Sequence, residues 1–250
     1  MQEKTPFFSI VLLSYNRPTW VREAIGSVLS QSFPDWELII IDDNSDAPVP
    51  AILRGYAELD SRIKLFFNTE TTPEMRATTQ RGQANINWLL KNGKVKGQVI
   101  SYLADDDFYL PNRLRVFHDR FIAHPDVKAF YSDQLIIDEG GGGSLRGTLG
   151  KTKAIACSVD MGSIAHKTEL FDEIGFWENY DTEEWDAVNN KAFGLKTFQV
   201  VDALFFDKIA KAGYDFHCIP VPLDVHRFNK KAYTLGIQMN ETDFSGWRDI

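Results

Sequence analysis

The sequence predicts an α/β protein built on a single doubly wound, mainly parallel sheet with helices on both faces. Three observations lead to this fold class: strand and helix signals alternate through the first 130 residues, the strand segments are almost wholly apolar, and their connections are short. Apolar runs of this kind are typical of strands buried on both faces of a parallel sheet. Because the alternation is lost after about residue 138, we expect a small antiparallel portion in the later part of the chain.

The opening segment predicts a strand, a helix and a second strand. Residues 8–13 are an apolar, β-branched run that ends at Ser-Tyr-Asn, and residues 36–41 are a second such run. Between them, after Pro18, apolar residues recur at the spacing of one helix face; they are Val21, Ala24, Ile25, Val28 and Leu29. A strand, helix and strand joined this closely form a right-handed βαβ unit with parallel strands.

The same rhythm continues to the middle of the chain. The expected order is a helix at 52–59, a strand at 63–67, a helix at 78–90, a strand at 99–103, a helix opened by Pro111 and a strand at 129–131. In the helix after Pro111, one buried face is predicted to contain Leu114, Phe117, Phe121 and Ile122. Farther along we expect a flexible loop at 140–144, a strand at 159–164, a short helix at 167–173 and a helix at 203–212 closed by Gly213.

Composition restricts the class of function. The 250 residues contain 27 Lys and Arg against 35 Asp and Glu, a net charge of −8, which argues against a nucleic-acid partner. The apolar runs are too short for a transmembrane segment and no leader peptide is recognisable, so a cytoplasmic protein is expected. Cys157 and Cys218 are too few for a disulfide framework and are expected to be buried thiols. Trp20, Trp36 and Trp88 lie in regular elements and are predicted core residues.

Two acidic clusters stand at the carboxyl ends of predicted parallel strands. Asp42 and Asp43 follow one strand, and Asp105, Asp106 and Asp107 follow another. In open α/β sheets the ligand crevice lies outside these ends. Three adjacent carboxylates need a nearby cation to stay ionised, and a hard divalent metal with few protein ligands takes the others from substrate phosphates. The pattern favours a nucleoside diphosphate derivative as substrate; the alternative is that these aspartates only cap turns and helices.

Other phosphate-binding and catalytic motifs do not fit. No G-x-G-x-x-G follows the first strand, so a nicotinamide or flavin site lacks its glycine turn. Gly150-Lys151-Thr152 imitates the end of a P-loop, but Leu145 stands where the first glycine is required. Neither G-x-S-x-G nor H-E-x-x-H occurs in the sequence, which excludes a nucleophile elbow and a zincin helix.

Three early segments together resemble the family-two inverting glycosyltransferases of GT-A fold. They are residues 9–17 (SIVLLSYNR), 27–33 (SVLSQSF) and 37–45 (ELIIIDDNS). Residues 102–107 (YLADDD), followed by YLPNRL, resemble the DXD region of that family. The resemblance covers about residues 8–131, extends to the family's spore-coat polysaccharide members, and returns at residues 202–206.

The resemblance implies a nucleotide site at the end of the first two strands. Ser14 and Tyr15 match residues that pack on the nucleotide base, the tyrosine by its ring face. Asp43 matches the aspartate that accepts a hydrogen bond from the imide N–H of uracil or thymine. Guanine also presents a ring N–H, so this contact alone leaves the base open.

It also implies a phosphate and metal site beside the nucleotide. Arg76 matches the family arginine near the nucleotide, and Arg81 is the second choice. Asp105 matches the position near the ribose and the metal, and Asp106 matches the aspartate that ligates the metal. The metal is expected to be a divalent cation, Mn²⁺ or Mg²⁺, and Asp107 is an additional carboxylate without an assigned role.

Asp202 matches the catalytic base of the family. Inversion at an anomeric carbon needs in-line attack, so one carboxylate must deprotonate the acceptor hydroxyl from the face opposite the leaving diphosphate. Asp202 also suits the N-cap of the helix predicted after it, and a helix N-terminus keeps a carboxylate ionised. A different register would make Glu184 the base, but the segment at 211–216 follows Asp202 at the spacing that the family shows.

The residues and the resemblance together predict one domain over residues 1–250, with a nucleotide-binding half at 1–110 and an acceptor-binding half at 111–250. The expected reaction is metal-dependent, inverting transfer of a sugar from a UDP- or dTDP-sugar to a saccharide or other hydroxyl acceptor, in polysaccharide or glycoconjugate biosynthesis. Trp177, Tyr180 and Trp185 are expected to line the acceptor site. Two alternatives stay open: a non-catalytic nucleotide-sugar-binding module, and a sugar nucleotidyltransferase, whose glycine-rich first loop is missing here.

Overall fold

The computed structural model describes residues 5–73, 75, 81–138, 143–146, 150, 159–177 and 201–228, in which nine strands form one sheet. The strands are β1 (Phe8–Ser14), β2 (Trp36–Asp42), β3 (Ile63–Phe67), β4 (Val99–Ala104), β5 (Phe108–Tyr109), β6 (Ala129–Asp138), β7 (Gly143–Arg146), β8 (Ile164–Lys167) and β9 (Phe216–Phe228). Over the same residues the α-helices are α1 (Trp20–Leu29), α2 (Val49–Leu59), α3 (Arg81–Lys91), α4 (Arg113–Ala123), α5 (Leu170–Ile174) and α6 (Val201–Lys211).

The first half of the sheet is parallel, with neighbouring strands in the order β3-β2-β1-β4. Alternate side chains of β1 enter two different cores, since Ile10 and Leu12 pack on one face of the sheet and Val11 packs on the other. All three side chains are fully buried. Apolar cores on both faces explain why the strand sequences are unbroken apolar runs rather than alternating ones.

The second half of the sheet is mixed. β8 runs antiparallel to both β4 and β6, whereas β9 runs parallel to β6, so β6 and β9 share the direction of the first four strands. β5 pairs antiparallel with β9, and β7 pairs antiparallel with β6. The predicted mainly parallel sheet with a small antiparallel portion is therefore confirmed.

The helices bury the faces that their periodicity predicts, with one exception. In α1 the buried residues are Val21, Ala24, Ile25 and Val28. In α4, Leu114, Phe117 and Phe121 are buried, but Ile122 is 62% exposed, so its predicted place in the core is wrong. Successive helix residues are rotated by about 100°, which places Ile122 well to one side of the stripe formed by the other three.

The chain after residue 159 differs from the predicted order. A strand was predicted at 159–164, but the structure has a 3₁₀-helix at Met161–Ser163, and the strand β8 begins only at Ile164. The Asp160 side chain accepts a hydrogen bond from the Gly162 N–H at 2.6 Å, which closes a tight turn in place of extended backbone. The helix predicted at 167–173 is the shorter α5, and α6 begins two residues before its predicted start.

Four predictions about side-chain burial need correction. Trp36 is buried as predicted, but Trp20 is only half-buried and Trp88 is 45% exposed. Trp177, predicted to line an acceptor site, is a core residue that is 3% exposed and stacks on Phe205 with ring centroids 4.2 Å apart. Cys218 is half-buried rather than buried. Gly143 and Ser144, predicted to belong to a flexible loop, instead lie in β7 and pair with β6. The structure does not describe Cys157, Tyr180, Trp185 or residues 140–142.

None of the helices in the described part of the chain combines the length and the apolar character that crossing a bilayer requires.

Candidate active site

The carboxyl ends of three parallel strands meet at one edge of the sheet. Ser14 at the end of β1 is in register with Asp42 at the end of β2, and Leu13 is in register with Ala104 at the end of β4. The backbone N–H of Asp43 donates to the carbonyl oxygen of Ser14 at 2.9 Å, which ties the first two loops together. The predicted acidic clusters therefore come to the same edge.

Asp43 lies in a buried polar network. Its Oδ1 accepts hydrogen bonds from Thr71 Oγ1 at 2.8 Å and from Asn85 Nδ2 at 3.0 Å. Arg81 on α3 places Nε 3.7 Å from the same oxygen, and its Nη2 donates to Thr71 Oγ1 at 2.6 Å. The Asp43 side chain is 8% exposed, so its negative charge is compensated mainly by these donors and by Arg81.

This network opens into a pocket of about 370 Å³. Ser14, Tyr15, Asp43 and Asp105 line it together with residues of α3, so the structure brings four of the predicted nucleotide-contacting residues into one pocket. Among the described residues, Ser14 Oγ and Arg81 Nε are buried atoms without a hydrogen-bond partner. Because buried polar atoms are rarely left unpaired, both are suited to contact a polar ligand in this pocket.

Asp105 joins the end of β4 to the loop after β1. It is 2% exposed, and it accepts hydrogen bonds from the backbone N–H of Tyr15 and from Arg17 Nη1, both at 2.7 Å. Burial raises the pKa of Asp105 to about 6, against the opposing effect of Arg17 and the Tyr15 N–H. The loop needs a left-handed backbone at Asn16, where φ is 51°, a conformation that asparagine tolerates.

Asp106 and Asp107 have different partners. Asp106 is 13% exposed and lies 3.2 Å from Arg17 Nη2. Asp107 is turned to β9, where its Oδ2 lies 3.0 Å from His226 Nδ1 and its Oδ1 accepts from the Arg227 N–H at 2.9 Å. Burial raises the pKa of Asp107 to about 6, although His226 acts in the opposite direction. Arg17 thus compensates part of the charge of this acidic cluster, while Asp107 is held by His226 and a backbone N–H.

Asp202 lies inside the first turn of α6 rather than at its N-cap, because the helix begins at Val201, and it does not line the pocket around Asp43. Its Oδ2 accepts a hydrogen bond from the Met161 N–H at 3.0 Å. Asp160, the residue before Met161, places its Oδ2 3.7 Å from His226 Nδ1, the nitrogen that also contacts Asp107. Burial raises the pKa of the Tyr102 hydroxyl on β4, and the charge of Asp202 raises it further, so this carboxylate is within electrostatic reach of the central strand.

The donor set fits a divalent cation that takes most of its ligands from a substrate. Over the described residues, no group of three or more His, Cys, Asp or Glu side chains is arranged to hold a metal ion. Asp106 is the most exposed carboxylate of its cluster, while Asp105 and Asp107 face protein donors. One or two carboxylates completed by phosphate oxygens is a common arrangement for Mg²⁺, so Asp106 suits the role of a single protein ligand.

Several site residues were missed or cannot be placed. Arg76 and Glu184 lie outside the described residues, and Arg81, the second choice, is the arginine beside Asp43. Sequence reasoning did not identify Thr71 and Asn85. A usable signal existed for Asn85, because Arg81 and Asn85 are four residues apart on a predicted helix and therefore share a face. No comparable signal pointed to Thr71, which lies in a loop.

The chain is similar to known proteins in sequence and in overall structure. Protein CgeD of Bacillus subtilis (strain 168) is 31% identical over 214 residues, 79% of this chain and 49% of CgeD. The chain thus spans about half the length of that relative. S. aureus TarS 1-349 in complex with UDP-GlcNAc has a TM-score of 0.64 at 16% identity, covering 89% of this chain and 58% of that one.

A second solved structure has the same fold. The mannosyltransferase PcManGT from Pyrobaculum calidifontis, in complex with GDP-Man and Mn²⁺, has a TM-score of 0.58 at 16% identity. The match covers 93% of this chain and 60% of the PcManGT chain. At such low identity these likenesses show the fold alone, and they confirm the GT-A glycosyltransferase architecture. Residues 9–146, more than half of the chain, match the sequence family described as Glycosyl transferase family 2. The resemblance inferred from the motifs is therefore confirmed, and the chain belongs to Glycosyl transferase family 2.

Proposed function

We propose that this chain is an inverting glycosyltransferase that moves a sugar from a UDP- or dTDP-sugar to a hydroxyl group of a saccharide or other acceptor, in polysaccharide or glycoconjugate biosynthesis. The observation that carries the proposal is the pocket in which Asp43, Arg81 and Ser14 meet Asp105. Family membership supports the reaction class, and the TarS complex supports UDP-sugars as donors.

The Asp43 pocket has the polarity that a uracil or thymine imide requires. The carboxylate accepts a hydrogen bond from the ring N–H, and Arg81 Nε, 3.7 Å from Asp43 Oδ1, donates to the neighbouring ring carbonyl. Cytosine would place a nitrogen lone pair against the carboxylate and is disfavoured. The Tyr15 ring is 41% exposed beside the pocket, which suits stacking on a base.

The reaction then uses the two halves of the chain, residues 1–110 for the nucleotide and residues 111–250 for the acceptor. Asp202 takes the proton of the acceptor hydroxyl while that oxygen forms a bond to the anomeric carbon. The bond from the anomeric carbon to the diphosphate oxygen breaks on the opposite face, and the nucleoside diphosphate leaves. Attack opposite the leaving group inverts the anomeric configuration.

Asp106 is the residue assigned to a divalent cation, Mn²⁺ or Mg²⁺. When bound, such an ion neutralises the negative charge that develops on the departing diphosphate. Asp105 holds the loop that contains Tyr15 and Arg17, and it thereby positions the ribose end of the donor. Arg17 lies within reach of both carboxylates and limits their mutual repulsion before the donor binds.

Isothermal titration of UDP, dTDP and GDP, each with and without Mn²⁺, tests the donor site. The expected result is metal-dependent binding of the pyrimidine diphosphates that Asp106→Ala abolishes. Asp43→Asn should weaken UDP binding in the presence of Mn²⁺. If no diphosphate binds under any of these conditions, the aspartates are turn caps and the proposed function is wrong.

A further inference from the structure

Asn85 holds the residue to which we assign base recognition. Its Nδ2 donates to Asp43 Oδ1 at 3.0 Å, and its Oδ1 accepts a hydrogen bond from Asn68 Nδ2 at 2.7 Å. Asn85 is 3% exposed, so its amide group has little chance to exchange these partners for water. The contact from Asn68 determines which end of the amide faces Asp43, because a reversed amide would set two oxygens or two nitrogens against each other.

A second donor reaches the same carboxylate oxygen. Thr71 Oγ1 has one proton, and since Thr71 already accepts from Arg81 Nη2 at 2.6 Å, that proton is directed to Asp43 Oδ1 at 2.8 Å. Two donors on one oxygen fix the rotation of the carboxylate group. The direction in which Asp43 presents its acceptor lone pairs to the pocket is therefore set by Asn85 and Thr71.

A neighbouring asparagine on the same helix shows what a purely structural role looks like. Asn87 is also buried, but among the residues that the structure describes its amide bonds to backbone, donating to the Trp177 carbonyl at 2.8 Å and accepting from the Trp177 N–H at 3.0 Å. It joins α3 to the segment after α5. Asn85, in contrast, directs its donor to a carboxylate that lines a ligand pocket.

We propose that Asn85 is a positioning residue that aims the Asp43 carboxylate at the ring N–H of the donor base and thereby sets selectivity for bases that have this group. The proposal rests on the proposed function, because it takes the pocket at Asp43 as the nucleotide site. Although Asn85 also lies at the wall of this pocket, its amide nitrogen donates to Asp43, and the proposed role is exerted through that carboxylate.

The test compares UDP with 3-methyl-UDP, which carries a methyl group in place of the imide hydrogen. Both ligands are titrated into the wild-type chain, Asn85→Leu, Asp43→Asn and the matched control Asn87→Leu. The wild-type chain should prefer UDP by about tenfold, as expected for a hydrogen bond to a charged group. Asn85→Leu should lose most of this preference while binding of 3-methyl-UDP changes little, and Asn87→Leu should keep the wild-type ratio.

The outcomes separate the two proposals. If the wild-type chain does not bind UDP, the proposed function fails. If Asp43→Asn removes the preference for UDP while Asn85→Leu keeps the wild-type ratio, the nucleotide site stands and the positioning role of Asn85 is overturned. Should Asn85→Leu not fold, as judged by circular dichroism, Asn68→Ala removes the donor that orients the Asn85 amide. That variant is expected to lower the UDP preference partially, and an unchanged ratio would contradict the inference.

Discussion

Arg17 Nη1 donates a hydrogen bond to Asp105 Oδ1 at 2.7 Å, although the two residues are 88 positions apart in the chain. The second nitrogen of the same guanidinium lies 3.2 Å from Asp106 Oδ2. One side chain from the loop after β1 therefore contacts two carboxylates at the end of β4. This contact connects the loop that carries Tyr15 to the acidic cluster, so the residue proposed to stack on the base is linked to the carboxylate proposed to hold the metal.

Removing the Arg17 charge should destabilise the fold moderately. Arg17→Gln leaves the buried Asp105 carboxylate without its charged donor, which should cost about 1–3 kcal/mol in the free energy of unfolding. Urea denaturation at pH 7.5 measures the change, with Arg22→Gln, an exposed arginine on α1, as the control. If the two variants have the same free energy of unfolding, the contact between Arg17 and Asp105 does not stabilise the fold.

Replacing Asp202 should abolish transfer and preserve donor binding. Asp202→Asn keeps an oxygen that accepts from the Met161 N–H but cannot take a proton from the acceptor, so turnover should fall by about 10²- to 10⁴-fold. The Kd of UDP should stay near the wild-type value. Donor turnover and calorimetric titration measure the two quantities.

The control for this experiment is Asp207→Asn, which changes a carboxylate on the same helix that pairs with Lys211 at 2.5 Å. It should leave turnover unchanged. If Asp202→Asn keeps wild-type turnover, Asp202 is not the base, and Glu184 becomes the candidate.

Substitutions in the buried ion pair between Arg113 and Asp224 should have strongly non-additive effects on the free energy of unfolding. Arg113 is fully buried, with Nη1 2.8 Å from Asp224 Oδ1 and Nη2 donating to the Gly162 carbonyl at 2.7 Å. Arg113→Met leaves an uncompensated carboxylate in the core and should destabilise the chain by about 3–5 kcal/mol. The double variant Arg113→Met/Asp224→Leu should recover much of that loss in urea denaturation. A double variant that is less stable than Arg113→Met would contradict this expectation.

His166 should make stability depend on pH. It is fully buried beside Tyr102, with Nε2 2.8 Å from the hydroxyl oxygen, and burial lowers its pKa from 6.5 to about 4. Between those values the unfolded chain binds a proton that the folded chain does not, so stability falls as pH falls from 6.5 to 4. The contribution is about 3 kcal/mol at most.

His166→Gln keeps a neutral polar group and removes the titration. Its stability relative to the wild-type chain should therefore improve as pH is lowered from 7.5 to 4.5. Asp105 and Asp107 titrate in the same range in both proteins, so the difference between the two chains isolates His166. The exposed His124→Gln variant serves as the control. If the difference in the free energy of unfolding between His166→Gln and the wild-type chain does not change with pH, the buried imidazole is not held neutral.

Apart from the two-residue strand β5, the order of strands and helices up to about residue 131 follows from local pattern, and so does the edge of the sheet where the site lies. An apolar run such as residues 36–41 reports burial on both faces, and parallel strands bring Asp43 and Asp105 to the same edge whatever their side chains contact. The resemblance to the family suggested the roles proposed for Asp106 and Asp202, which periodicity alone does not reveal.

The partner of each charge, and the burial of individual aromatic rings, depended on long-range packing. Asp107 meets His226 across 119 residues and Asp43 meets Asn85 across 42. Such contacts require side-chain directions that exist only when loops from different strands are folded against one another, and a one-dimensional pattern contains no record of them. For the same reason aromatic character did not distinguish the buried Trp177 from the half-exposed Trp88: burial is decided by which neighbouring elements cover a face.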